Sequence, residues 1–110
     1  MSYQHKDLAA GRWSQLSFLE QMANIGSEVE RALRCRAKGN EAYCRGAFER
    51  SLELIDLTLD SVTGFARLKE LARLREAIVD YFFGTNQFTS TEDSWRKYFA
   101  SFAYAVRKSH

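Results

Sequence analysis

Apolar residues recur along this chain at steps of three and four, the period of an α-helix, in four separate stretches. The most regular is FARLKELARLREAIVDYFFG, residues 65–84, in which Leu68, Leu71, Leu74, Ile78 and Tyr81/Phe82 share one face. Most of its interior is Leu, Ala, Arg, Lys and Glu, which lose little rotamer freedom in a helix. Gly84 follows at the position where a left-handed cap needs no Cβ. This is the element around which the rest of the chain is expected to gather. Upstream, from about Ser14 to Lys38, Phe18, Met22, Ile25, Val29 and Ala32 form a heptad-like seam. Ser17 and Glu20 have the spacing of a capping box, which would start the regular helix slightly later than Ser14. Gly26 interrupts this helix at about 1 kcal/mol relative to alanine. Close approach of a neighbouring helix would explain it; so would simple tolerance.

Gly39-Asn40 marks a joint, after which Phe48, Leu52, Ile55 and Leu59 define a second helix over about Glu41–Asp60. Leu54 and Leu57 widen its apolar face, and Gly46 is the point where it would break or bend. After the loop GTNQFTST, Ser90 with Asp93, or Thr89 with Glu92, supplies a cap for a fourth helix ending near Lys108. Its seam is Trp95, Tyr98/Phe99, Phe102 and Val106. Residues 1–12 show no period and read as a mobile arm. The pattern therefore predicts an all-α, up-down-up-down four-helix bundle over residues 13–110. In that topology Arg31, Arg34, Arg36, Lys38 and Arg45 share an end with Asp80, Glu92 and Asp93, and opposite charges are expected to meet there.

Composition changes this picture little. The chain has 110 residues, no proline and a net charge of +2, too small to demand nucleic acid or membrane as a partner. Cys35 and Cys44 match no zinc spacing and read as free thiols of a reducing compartment. No apolar run approaches a membrane span and no signal-peptide core is visible, so the expected compartment is the cytoplasm.

Catalytic patterns are missing. Glu28 and Glu30 point to different sides of a helix, no histidine accompanies the carboxylates, and there is no glycine-rich phosphate loop or nucleophile elbow. The expectation is a protein that is not an enzyme and carries no metal or cofactor. Three other features carry function. The run containing Arg31, Arg34, Arg36, Lys38, Arg45 and Arg50 is either a solvated helix end or a set of phosphate and nucleic-acid contacts. Arg75, at the edge of its helix seam, is either held in a half-buried ion pair with Glu28 or Glu53 or faces a crevice. Nine of the fifteen aromatic residues lie between Tyr81 and Tyr104, more than one small core takes. Tyr81, Phe82 and Phe83 fan over about 200°. With Phe88, Trp95 and Tyr104 they are the expected self-association surface.

Residues 38–59, KGNEAYCRGAFERSLELIDLTL, resemble part of a tetratricopeptide repeat through Gly39, Asn40, Ala42, Tyr43, Gly46, Phe48, Ser51 and Leu52. The resemblance implies a turn at Arg45-Gly46-Ala47 between two short helices. The chain as a whole is similar in architecture to small bacterial four-helix proteins of uncharacterised function and to the ribosomal-intervening-sequence bundles, which form ring oligomers. It resembles the HEPN ribonucleases in architecture too, but Arg107 and His110 stand closer together than that family's catalytic pair. The functional expectation is an interaction or accessory module that forms a homo-oligomer through its aromatic-rich end or binds another protein. A nucleic-acid-associated bundle using the basic cluster is the alternative.

Overall fold

Residues 11–39 and 41–108 are described by a computed structural model. A 3-10 turn, Trp13–Gln15, precedes four helices: α1 (Phe18–Lys38), α2 (Glu41–Ser61), α3 (Phe65–Phe83) and α4 (Glu92–Lys108). There is no strand among the described residues. The capping box starts α1 as its spacing predicts: Glu20 N donates to Ser17 Oγ at 3.1 Å and Ser17 N donates to Glu20 Oε1 at 2.9 Å. Neighbouring helices run antiparallel, as the contacts Glu28–Arg50 with Cys35–Cys44, Asp56–Arg75 with Phe48–Phe82, and Glu30–Arg96 with Phe18–Phe102 require. The up-down-up-down bundle is the observed fold.

Its centre is α1, not the α3 stretch. Backbones approach closely between α1 and α2 and between α1 and α4, whereas α3 packs mainly on α2. Met22, Ile25, Val29, Ala32 and Leu33 of α1 are all buried, against only Leu71, Leu74 and Ile78 in α3. Gly26 explains part of this. A Cβ there would stand 2.8 Å from Phe99 Cβ, Cγ and Cδ1, so the glycine is the notch into which α4 settles. Between α3 and α4 the contact is made by long side chains instead: Tyr81 against Trp95, and the Tyr98 hydroxyl donating to Glu70 Oε2 at 3.2 Å.

Three local expectations are corrected. The second helix runs unbroken through Gly46, so Arg45-Gly46-Ala47 is not a turn and the repeat-like pair of short helices does not form. Gly84 is extended rather than left-handed, with φ −98°. Glycine suits it for lack of room, because a Cβ would meet Asp80 O at 2.9 Å. The cap of α4 is Thr91, whose Oγ1 accepts from Ser94 N at 3.0 Å while Ser94 Oγ accepts from Thr91 N at 2.8 Å. Of the predicted arm, residues 1–10 lie outside the described residues, and Gly11 and Arg12 lead directly into the 3-10 turn. Trp13 in that turn is buried, and its Nε1 donates to Thr58 Oγ1 at 2.9 Å. Gln21 Nε2 donates to Trp13 O at 2.9 Å, so the turn plugs the start of the α1–α2 hairpin.

Candidate functional site

The end of the bundle where α1 stops and α2 starts concentrates positive charge. Gly39 closes α1 in the left-handed region (φ +78°), its amide donating to Arg36 O at 3.2 Å. Cys35 and Cys44 are joined in a disulfide, which corrects the free-thiol reading and removes the premise for a reducing compartment. The two residues are equally distant along the chain from the Gly39-Asn40 joint, so an antiparallel hairpin brings them to the same height.

The disulfide divides two grooves. One, of about 460 Å³, is lined by Arg31, Arg34, Cys35, Lys38 and Tyr43. The other, of about 430 Å³, is lined by Arg36, Cys44, Arg45, Phe48, Phe82 and Phe83. Arg36 is fixed: Nη1 donates to the Tyr81 carbonyl at 3.2 Å and the guanidinium lies 5.0 Å from the centre of the Tyr81 ring. Arg45 lies 5.8 Å from the centre of the Phe83 ring. Each groove therefore has one ring more than half exposed beside its cations, Tyr43 at 57% and Phe83 at 56%.

Two of the acids expected to neutralise this end, Asp80 and Glu92, are engaged elsewhere. Asp80 accepts from the backbone amides of Gln87 and Phe88 at 2.8 and 3.1 Å, ordering the loop after α3. Glu92 pairs with Arg96 on its own helix, and no ion pair of Asp93 is seen among the described residues. Glu28, nearly buried, pairs with Arg31 at 3.3 Å and with Arg50 at 3.2 Å. Arg50 is thus a half-buried structural residue and leaves the surface set. Arg34 approaches Glu30 only to 4.0 Å, because Arg96 Nε holds that carboxylate at 2.8 Å. Lys38 and Arg45 have no carboxylate partner among the described residues.

The aromatic set predicted for self-association stays at one end of the bundle apart from Tyr104, but its members differ in exposure. Trp95 is 5% exposed and belongs to the core; its Nε1 has no hydrogen-bond partner among the described residues. Tyr81 and Phe82 are half-buried and pack edge to face on one another. Tyr104 sits near the far end of α4 beside Lys108. Phe83 and Phe88 remain exposed, but Phe83 lines the basic groove and Phe88 a separate cleft of about 580 Å³ between α3 and α4. In that cleft, burial foremost and then the Glu70 charge and hydrogen bond push the Tyr98 hydroxyl above the ordinary phenol range.

Arg75 is paired, though with neither expected acid. Its Nε donates to Asp56 Oδ1 at 2.9 Å and its Nη2 to Oδ2 at 3.4 Å, a two-pronged grip between α3 and α2. Asp56 lies at the same height on the neighbouring helix, whereas Glu28 is taken by Arg31 and Arg50. Among the described residues no group of three His, Cys, Asp or Glu is placed to hold a metal ion, and no helix is long and apolar enough to cross a membrane. Comparison with protein-family models, with curated proteins and with solved structures gives no match.

Proposed function

We propose that this protein is a non-enzymatic interaction module whose basic end binds a phosphate-rich strand, single-stranded nucleic acid by its chemistry. The observation that carries this reading is the pairing, in both grooves, of an exposed ring with a cation that has no carboxylate partner among the described residues: Tyr43 beside Lys38, Phe83 beside Arg45. Guanidinium groups grip phosphate oxygens two at a time, and an exposed ring stacks on a base for about 1–3 kcal/mol without demanding a particular sequence. The disulfide holds the cations of α1 against those of α2, so little ordering is needed on binding.

The test is fluorescence anisotropy of a labelled single-stranded oligonucleotide at increasing salt. With three or four phosphates engaged, the slope of log K against log salt is about −2 to −3, at about −0.7 per phosphate. Arg34→Glu and Arg45→Glu each weaken binding and flatten that slope, and Tyr43→Ala weakens binding without changing it. Absence of binding at low salt, or binding indifferent to salt, refutes the reading.

A further inference from the structure

Helix α3 carries two apolar stripes; the bundle buries one and covers the other only in part, with Val79 against the core and Phe83 edge-on to Phe48. Leu71, Leu74 and Ile78 face inward and are buried. At 100° per residue, Phe65, Leu68, Ala72, Val79 and Phe83 fall within roughly 60° of one another, about 120° around the helix from the buried set. This second stripe runs from the first residue of α3 to the last, and neither α1 nor α4 covers it. Phe65 is 80% exposed, Phe83 56% and Leu68 38%. Leu52 and Leu59, a turn to either side of Asp56 on α2, broaden the same face and are only half-buried. The Arg75–Asp56 pair crosses its middle.

We infer that this face is where a second copy of the chain docks, α3 lying antiparallel to its counterpart about a two-fold axis near Arg73 and Leu74. Three observations select that occupant. The stripe is close to symmetric in size, with a phenylalanine at each end, Leu68 and Val79 inside them and Ala72 near the centre. Antiparallel pairing sets Phe65 beside Phe83 of the other copy and Leu68 beside Val79, with the small Ala72 facing the longer Arg75. Charge agrees. Lys69 and Glu76 lie along one edge of the stripe and have no ion-pair partner among the described residues. In this register each Lys69 stands within two to three residue steps of height, roughly 3–4.5 Å, of the other copy's Glu76, twice per dimer. The area is sufficient as well. At about 200 Å² for a fully exposed large side chain, Phe65, Leu68 and Phe83 together show roughly 350 Å². Two copies, with the leucines of α2 and the charged stems added, reach the ~1,000 Å² that a specific interface needs. Phe83 belongs both to this stripe and to the basic groove, so the dimer would compete with strand binding for that one ring, but the contact stands whether or not that end binds nucleic acid. It relocates self-association from the end of the bundle to its side.

Sedimentation from low micromolar to several hundred micromolar protein, in moderate salt, tests it. A monomer–dimer equilibrium is expected. Phe65→Asp should weaken it by about 100-fold, because the change occurs on both copies. That substitution places an acid in the first turn of an exposed helix, so the fold is retained and circular dichroism confirms it. Lys69→Glu should weaken the dimer, and Lys69→Glu with Glu76→Lys should restore it. A monomer at every concentration overturns the inference. So does a dimer indifferent to Phe65→Asp, or a double charge exchange that fails to restore what Lys69→Glu removed.

Discussion

Gly26→Ala is the substitution on which helix propensity and packing disagree most sharply. On propensity alone, alanine inside a helix stabilises by about 1 kcal/mol over glycine. In this bundle the added methyl would sit 2.8 Å from Phe99 Cβ, Cγ and Cδ1, against a normal carbon contact of about 3.5–4.0 Å. These atoms are near the root of the side chain, so the ring cannot swing clear. Phe99 is also held by Trp95, stacked at 6.3 Å, and by Tyr98, edge-on at 5.0 Å. Relief therefore requires α4 to move away from α1 by most of an ångström. A shift of that size forfeits a quarter to a half of the dispersion well for each contact along the seam, and overpacking of this kind costs about 1–3 kcal/mol. Packing should win, leaving a net loss of up to about 2 kcal/mol and a melting temperature lower by up to roughly 10 °C. Urea unfolding followed by far-ultraviolet circular dichroism measures it. In a Phe99→Ala background, where the ring contacts are gone, the same change should cost clearly less. A Gly26→Ala protein more stable than its parent would mean that α4 does not seat in this notch.

Two further outcomes follow from the cleft and the hairpin. The Tyr98 hydroxyl ionises at higher pH in the folded protein than at the ordinary value of about 10. Its contribution is complete below that pH and is lost as the unfolded chain ionises first, so stability should fall above about pH 10. Tyr98→Phe should blunt that fall in a series of melting curves, and an unchanged profile would refute the assignment. Cys35 and Cys44 close a short loop of sequence separation 9. By the loop-entropy argument, Cys35→Ser with Cys44→Ser should lower stability by up to about 2.5 kcal/mol in denaturant. Alkylation and mass spectrometry of protein never exposed to reductant should find no free thiol, and two alkylated cysteines would overturn the bridge.

The helices were legible because period and capping are local. Ser17 and Glu20 mark the start of α1 to the residue, and the apolar seam of α1 is the buried one. What was not legible is which helix lies at the centre, since a stripe shows that a helix has a partner and not how many. The regularity of residues 65–84 drew attention to α3 for that reason, and its second stripe was hidden among residues read singly. Arg75 was rightly suspected of pairing, but its acid depends on the height of α2 against α3, which sequence spacing does not give. The disulfide does have a sequence signal: two cysteines placed symmetrically about the Gly39-Asn40 joint. Trp13 had none, because an isolated tryptophan before the first periodic segment carries no phase.

The close seating of α4 on α1 has a consequence for the order in which the structure assembles. The hairpin of α1 and α2 needs only neighbouring stretches of chain, as the Cys35–Cys44 separation of 9 illustrates. The α1–α4 seam joins residues such as Glu30 and Arg96, which are 66 apart. Closing the longer loop carries roughly 2 kcal/mol more chain entropy, and α4 is also synthesised after the other three helices. Until it arrives, the Gly26 notch and the flank of Val29 and Leu33 stand open to water. While only the first three helices have been synthesised, the side they leave without a partner is the same surface that α4 covers in the finished protein.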